Sequence, residues 1–329
     1  MRRRAFIAVV GGDILAAPLV ADGQPARKVY RIGYLTVPSR ESAQGVARSF
    51  QSGLQDLGWV EGQNVAIDYR FAGSRLDRLP DLAAELALRA DVIVAGANAA
   101  VTAARNATRT TPIVMFLAIE PVASGLVASL ARPGGNVTEL TLTAGPEIYG
   151  KQLQLLKDAF PRISRVTILL NAASPSDTRA IRAQEIESST RALGLQRHVI
   201  EIRNPGDFDH AFAAMTTAHA DAMFIPQDSM FYQHQARLAQ LAAKTRLPAM
   251  WGLREHVEAG GLMAYATDLN DVARRAAIFV DKILKGAKPA ELPVEQPTKF
   301  DLVINLKTAR ALGLTIAPSF IARADRVIE

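Results

Sequence analysis

The chain of 329 residues carries 38 Lys and Arg against 32 Asp and Glu, a formal net charge of +6, with 49% hydrophobic residues and no cysteine. That length accommodates two α/β domains with cores of their own, and the missing cysteines exclude disulfides, thiol nucleophiles and thiolate metal sites together. The basic residues are scattered apart from Arg2, Arg3 and Arg4, and no basic stripe is interleaved with aromatics, which argues against nucleic acid as a partner.

In chain order, three arginines precede an apolar stretch over residues 5–21 that ends in small residues near Gly23. This is the layout of a bacterial export signal over residues 1–23, and "RRAFI" at residues 3–7 resembles a twin-arginine motif. Gly11, Gly12, Asp13 and Pro18 break the stretch too often for a comfortable membrane span. With no lipobox cysteine to tether it, the mature protein is expected in a periplasm.

The folded part opens with "YRIGYLTVPSRESAQGVARSFQSGLQDLGWVEGQNVAIDYR" (30–70). The spacing of apolar residues predicts a strand at 30–35, a helix at 42–57 and a strand at 64–70, a β-α-β unit. A dinucleotide enzyme would place G-x-G-x-x-G after the first strand; the loop here, "TVPSRES", has no glycine. A helix over 76–89, a strand at 91–96, a helix over 98–108 capped by Asn98, and a strand at 111–118 follow. Such alternation requires a parallel sheet with helices on both faces. A short helix at 124–130 is expected to end at Arg132-Pro133-Gly134-Gly135, before a strand at 136–141. A crossing into a second domain is placed near Ala144-Gly145-Pro146.

The pattern then restarts. Helices are expected over 148–160, 176–193, 207–218 and, as one piece, 230–245. Strands are expected at 165–171, 196–203, 220–226 and 247–252. "GGLMAYATD" and "TKFDLVINL" read as later strands on either side of a helix over 269–284. The fold class is α/β, with two doubly wound parallel-sheet lobes in succession.

The chemistry of an enzyme is not legible. His198, His210, His219, His234 and His256 form no H-x-x-x-H pair, and there is neither a G-x-S-x-G elbow nor a phosphate loop. No catalytic residue, metal or cofactor is expected.

Three stretches carry a resemblance: "GLVASLARPGGNVTELT" (125–141), "REHVEAGGLMAYATDL" (254–269) and "KILKGAKPAELPVEQPTKFDLVINLKTARALGLTI" (282–316). From about Val29 to Glu329 the chain resembles the ABC-transporter substrate-binding family that includes tryptophan- and phenylalanine-binding proteins. The resemblance implies a type I periplasmic binding protein with three interdomain crossovers. One lobe would be residues 29–143 plus 262–288, the other 144–261 plus 289–329. It further implies a monomer that closes on a small solute, an amino acid or an aromatic or other organic acid, and delivers it to an ABC importer permease. A sensing module for a membrane receptor, or an exported enzyme on the same fold, are the alternatives.

In open α/β sheets ligands bind outside the carboxyl ends of the strands. That rule selects Thr36, Ser39 and Ser42 after the first strand, Gly96, Ala97 and Asn98 after the third, and Ala118 and Glu120 after the fourth. In the second half it selects Asn171, then Gln227, Asp228 and Ser229, then Trp251. Family members that bind amino acids often carry an acidic residue where Asp228 stands, so it is expected to hold an amine, with a helix cap as its alternative role. Trp251 and Tyr265, with Phe231 and Tyr232, are expected to stack on an apolar solute, although Phe231 and Tyr232 also fit a core. Glu120 departs from the family, which more often has Asp before this proline.

Overall fold

A computed structural model describes residues 28–329 apart from Pro175, and the export segment expected over residues 1–23 lies outside the described residues. The first lobe is built from β1 (Tyr30–Thr36), α1 (Arg40–Asp56), β2 (Val65–Phe71), α2 (Leu79–Ala87), β3 (Val92–Gly96), α3 (Ala97–Ala107), β4 (Ile113–Ala118) and β5 (Val137–Thr141). Its strands are parallel, in the order β2-β1-β3-β4-β5. β3 is buried along its whole length, which is why it reads as an unbroken apolar run: helices cover both faces of a parallel sheet. The short helix expected over 124–130 does not form. Gly125 takes φ +63°, and the N–H groups of Leu126 and Val127 both turn back to the Pro121 carbonyl.

The second lobe follows with α4 (Glu147–Ala159), β6 (Arg165–Asn171), α5 (Ser176–Ala192), β7 (Gln196–Ile202), α6 (Phe208–Thr217), β8 (Ala222–Ile225), α7 (Ser229–Gln233), α8 (Gln235–Thr245), β9 (Ala249–Trp251) and α9 (Arg254–Glu258). It is completed by β10 (Met263–Ala266), β11 (Asp301–Asn305), α11 (Leu306–Leu312), α12 (Pro318–Ile321) and β12 (Arg326–Ile328), with α10 (Leu269–Leu284) inserted after β10. The sheet order is β12-β11-β10-β9-β8-β6-β7, and only the β10–β11 pair is antiparallel. The single helix expected over 230–245 is two. His234, at φ −111° and ψ 22°, ends α7, and its carbonyl accepts from Leu238 N at 2.9 Å to restart the chain as α8.

The chain passes between lobes three times, and two of the passages fall elsewhere than the resemblance implies. Residues 263–266 form β10 between β9 and β11, so they join the second lobe instead of the first, and the passage back lies at Thr267–Asp268. From there α10 packs its apolar stripe on α1 and the first sheet. Residues 289–295, expected in the second lobe, stay on the first. The carbonyl of Leu292 accepts from Thr138 Oγ1 at 2.9 Å, and that of Glu295 from Thr141 N at 3.0 Å. The physical reason is the exposed edge of β5, whose backbone groups need partners. No helix among the described residues is long and apolar enough to cross a membrane.

Candidate functional site

The carboxyl ends of β1, β3 and β4 face those of β6 and β8 across a cavity of about 330 Å³, the size of a small-molecule site. On the first-lobe wall, Thr36 and Gly96 are the last residues of β1 and β3. A Cβ on Gly96 would lie 2.9 Å from Thr36 Oγ1 and 3.0 Å from the Phe116 ring, so only glycine lets these strand ends close up. The next turns are strained: Ala97, Leu117 and Glu120 take φ of +70°, +57° and +48°. Such conformations cost about 1–3 kcal/mol each and persist only where the surroundings hold them. Asn98 does the holding. Its amide donates to the Ile119 carbonyl at 2.7 Å and Ser124 Oγ at 2.9 Å, and its Oδ1 accepts from Ile119 N at 2.8 Å. It is not the helix cap expected from sequence, a position Gly96 occupies.

On the second-lobe wall, Asp228 is 7% exposed. Its Oδ1 accepts from Met230 N at 2.9 Å and Asn171 Nδ2 at 3.0 Å, and its Oδ2 accepts from Ser174 Oγ at 2.9 Å. Asp228 therefore takes the alternative role, capping α7, and it also lines the cavity. Its Oδ2 lies 3.8 Å from Nη1 of Arg182, whose side chain is only 3% exposed. Among the described residues the guanidinium makes one hydrogen bond, from Nε to Tyr149 Oη at 3.3 Å. Burial works against its charge, but Tyr149, Asp228 and Glu120 more than offset that and raise its pKa. Gln227 Nε2 and Thr178 Oγ1 are buried on the same wall with no hydrogen-bond partner among the described residues. Buried polar atoms are rarely left so, and both are free to meet a guest.

Of the residues selected from sequence, Thr36, Gly96, Ala97, Asn98, Asn171, Gln227, Asp228 and Ser229 line this cavity. The others do not. Ser39 caps α1, accepting from Ser42 N, and the Ser42 side chain is exposed outside the cavity. Ala118 is fully buried in the core behind the wall. Glu120 borders a separate space of about 240 Å³ beside the crossovers, with Thr143, Glu147 and Gln296. Its half-buried carboxyl has a raised pKa through burial and the nearby Glu147, partly opposed by Arg182. Trp251 and Tyr265 are corrections with a common cause. Side chains alternate across a strand, and β9 turns Trp251 with Ala249 into the core, where its ring stacks on His256 at 4.9 Å. β10 turns Tyr265 into the opposite layer, against Phe300 at 5.6 Å. Phe231 is fully buried core, whereas Tyr232 reaches the cavity.

Arg182, Thr178 and Ser174 were not legible as site residues. α5 reads "SDTRAIRAQEIESSTRA", with polar residues on every side, so nothing marked Arg182 apart from an ordinary solvated charge.

The description "ABC transporter substrate binding protein" fits residues 32–328. A tyrosine-binding protein of Clostridioides difficile (strain R20291) is 23% identical over 290 residues, which are 88% of this chain and 82% of that protein. An ABC domain from Streptococcus pneumonia, solved in complex with L-Trp, matches with a TM-score of 0.84 at 26% identity, over 92% of this chain and 100% of that one. A conserved domain protein from Vibrio cholerae also gives 0.84, at 25% identity over 91% of this chain and 100% of its own. With its two-lobed type I periplasmic binding fold, the chain belongs to the ABC transporter substrate binding protein family, which comprises solute-binding proteins and not enzymes.

Proposed function

We propose that this protein is an exported, monomeric receptor that closes on one α-amino acid with a large apolar side chain and presents it to the permease of an ABC importer. The observation that carries the solute class is the buried pair of Arg182 and Asp228, 3.8 Å apart on one wall of the cavity. An α-amino acid offers a carboxylate and an ammonium at a similar spacing, so it fits head to tail against the two. Asp228 accepts three hydrogen bonds from the protein and has capacity for a fourth. The cavity is also lined by Leu117, Ile119, Leu142, Leu253 and Leu269, all packed in or against the first lobe's core cluster, which suits a hydrocarbon or aromatic side chain. The relatives named for tyrosine and solved with L-Trp support the same class.

Calorimetry against leucine, phenylalanine, tyrosine, tryptophan and the deaminated acid of each tests the reading. Binding of at least one amino acid, and weaker binding of its deaminated acid, is expected; binding of the acids alone would transfer the function to organic-acid capture. Asp228→Asn keeps the cap but loses the charge, and affinity for the amino acid should fall about ten- to a hundredfold, as for one charge-assisted hydrogen bond. The deaminated acid should bind the variant no worse. For export, the intact mass of protein recovered from periplasm should lack about the first 21 to 24 residues. A full-length cytoplasmic product would contradict it.

A further inference from the structure

Tyr232 belongs to the second lobe, yet its ring and hydroxyl reach the first. It lies in α7, lines the cavity, and packs its ring against the first lobe's core cluster. Its Oη donates a hydrogen bond to the main-chain carbonyl of Ser42, in the first turn of α1, at 3.0 Å. Burial, followed by Glu255 and Glu258, pushes the phenol up to about 12, so the donor keeps its proton at any physiological pH. The acceptor is a backbone carbonyl and carries no titrating group.

The same short helix ties this contact to the Arg182–Asp228 pair. The Asp228 carboxylate caps α7 through Met230 N, and the Asp228 carbonyl accepts from Tyr232 N at 2.9 Å. One helical turn therefore carries the residue beside Arg182 at one end and the cross-cleft hydrogen bond at the other. We infer that Tyr232 is a latch that sets how long the solute is retained: its bond to the Ser42 carbonyl exists only while the two lobes are together, and it must break before the solute leaves. The inference rests on the cleft being the solute site. A contact made only in the closed state slows departure and leaves capture by the open state unchanged, so the effect falls on the dissociation rate.

Tyr232→Phe keeps the ring against the first lobe and removes the O–H alone. Stopped-flow fluorescence with L-tryptophan as probe should show the dissociation rate constant rising about three- to tenfold, as for one net hydrogen bond, with the association rate constant no lower than in the native protein. An unchanged dissociation rate in a variant that binds L-tryptophan overturns the latch. A second readout needs no solute. The chain has no cysteine, so fluorophores on Gln44→Cys in the first lobe and His210→Cys in the second, both exposed positions, report the interlobe distance specifically. In the ligand-free protein, Tyr232→Phe should shift the population toward longer distances; identical distributions overturn the latch. If L-tryptophan binds neither protein, the amino-acid reading fails on that probe while the distance measurement still decides the latch.

Discussion

Arg182→Met is expected to lower affinity for the amino-acid solute by about a hundredfold or more. The guanidinium is buried on the cavity wall, with Nη1 3.8 Å from Asp228, Glu120 more distant, and one hydrogen bond among the described residues, from Nε to Tyr149. Truncating one partner of a desolvated, charge-assisted contact costs about 2–5 kcal/mol, because the other charge is left unpaired. Methionine retains the length and the packing but donates nothing. The decisive comparison uses the solute and its carboxamide, which differ in the charge Arg182 would meet. The native protein should prefer the carboxylate by about the same hundredfold, and the variant should lose that preference. A variant that still discriminates against the carboxamide would take Arg182 away from the solute carboxylate and leave it as the counter-ion of Asp228.

Gly252→Ala is expected to produce the largest loss of stability and to remove binding with it. Gly252 follows β9, and its N–H donates to the Ile225 carbonyl at 2.8 Å, which holds the end of β9 against the end of β8. A Cβ there would lie 2.1 Å from Gln227 N and 2.6 Å from the Pro226 carbonyl carbon. These are backbone atoms, so no rotamer change relieves the clash and a strand end must move. Overpacking of this kind costs about 1–3 kcal/mol and sometimes more; at about 2–4 °C per kcal/mol for a lobe of this size, the melting temperature should fall by about 5–10 °C. The displaced residues are Gln227 and then Asp228, so calorimetry on the folded variant at low temperature should show weak or no binding of the amino acid. Native affinity in a destabilised variant would mean that β9 yields instead of the 226–228 loop, and native values for both would show that the strand ends are not tightly held.

The two lobes were legible because their signals are local. The apolar runs of β3 and β8 and the periodic apolar face of α10 are properties of a few consecutive residues, and two series of such units identify two doubly wound sheets. The rule that ligands sit at the carboxyl ends of strands then reached Thr36, Gly96, Asn171 and Asp228 without coordinates, because strand ends can be counted along the chain. The misplaced features depend on residues far away. An apolar segment such as "MAYA" at 263–266 satisfies the backbone needs of either sheet; it became β10 because β9 and β11 offered partners on both sides. Residues 292–295 follow the unpaired edge of β5, some 150 positions earlier. Trp251 was assigned to the cleft by the strand-end rule as well as by its chemistry and Tyr265 by its chemistry alone, whereas the alternation of side chains about each strand turned Trp251 into one core and packed Tyr265 against another. Arg182 is the sharpest case. In sequence it is one of many charges on a polar helix, and its meaning comes from Tyr149, 33 positions before it, and Asp228, 46 positions after it. Local periodicity determined which segments are strands and helices, and where the strand ends fall. Only the tertiary structure, by removing water from one arginine and one aspartate together, made a charged pair on the wall of the cavity.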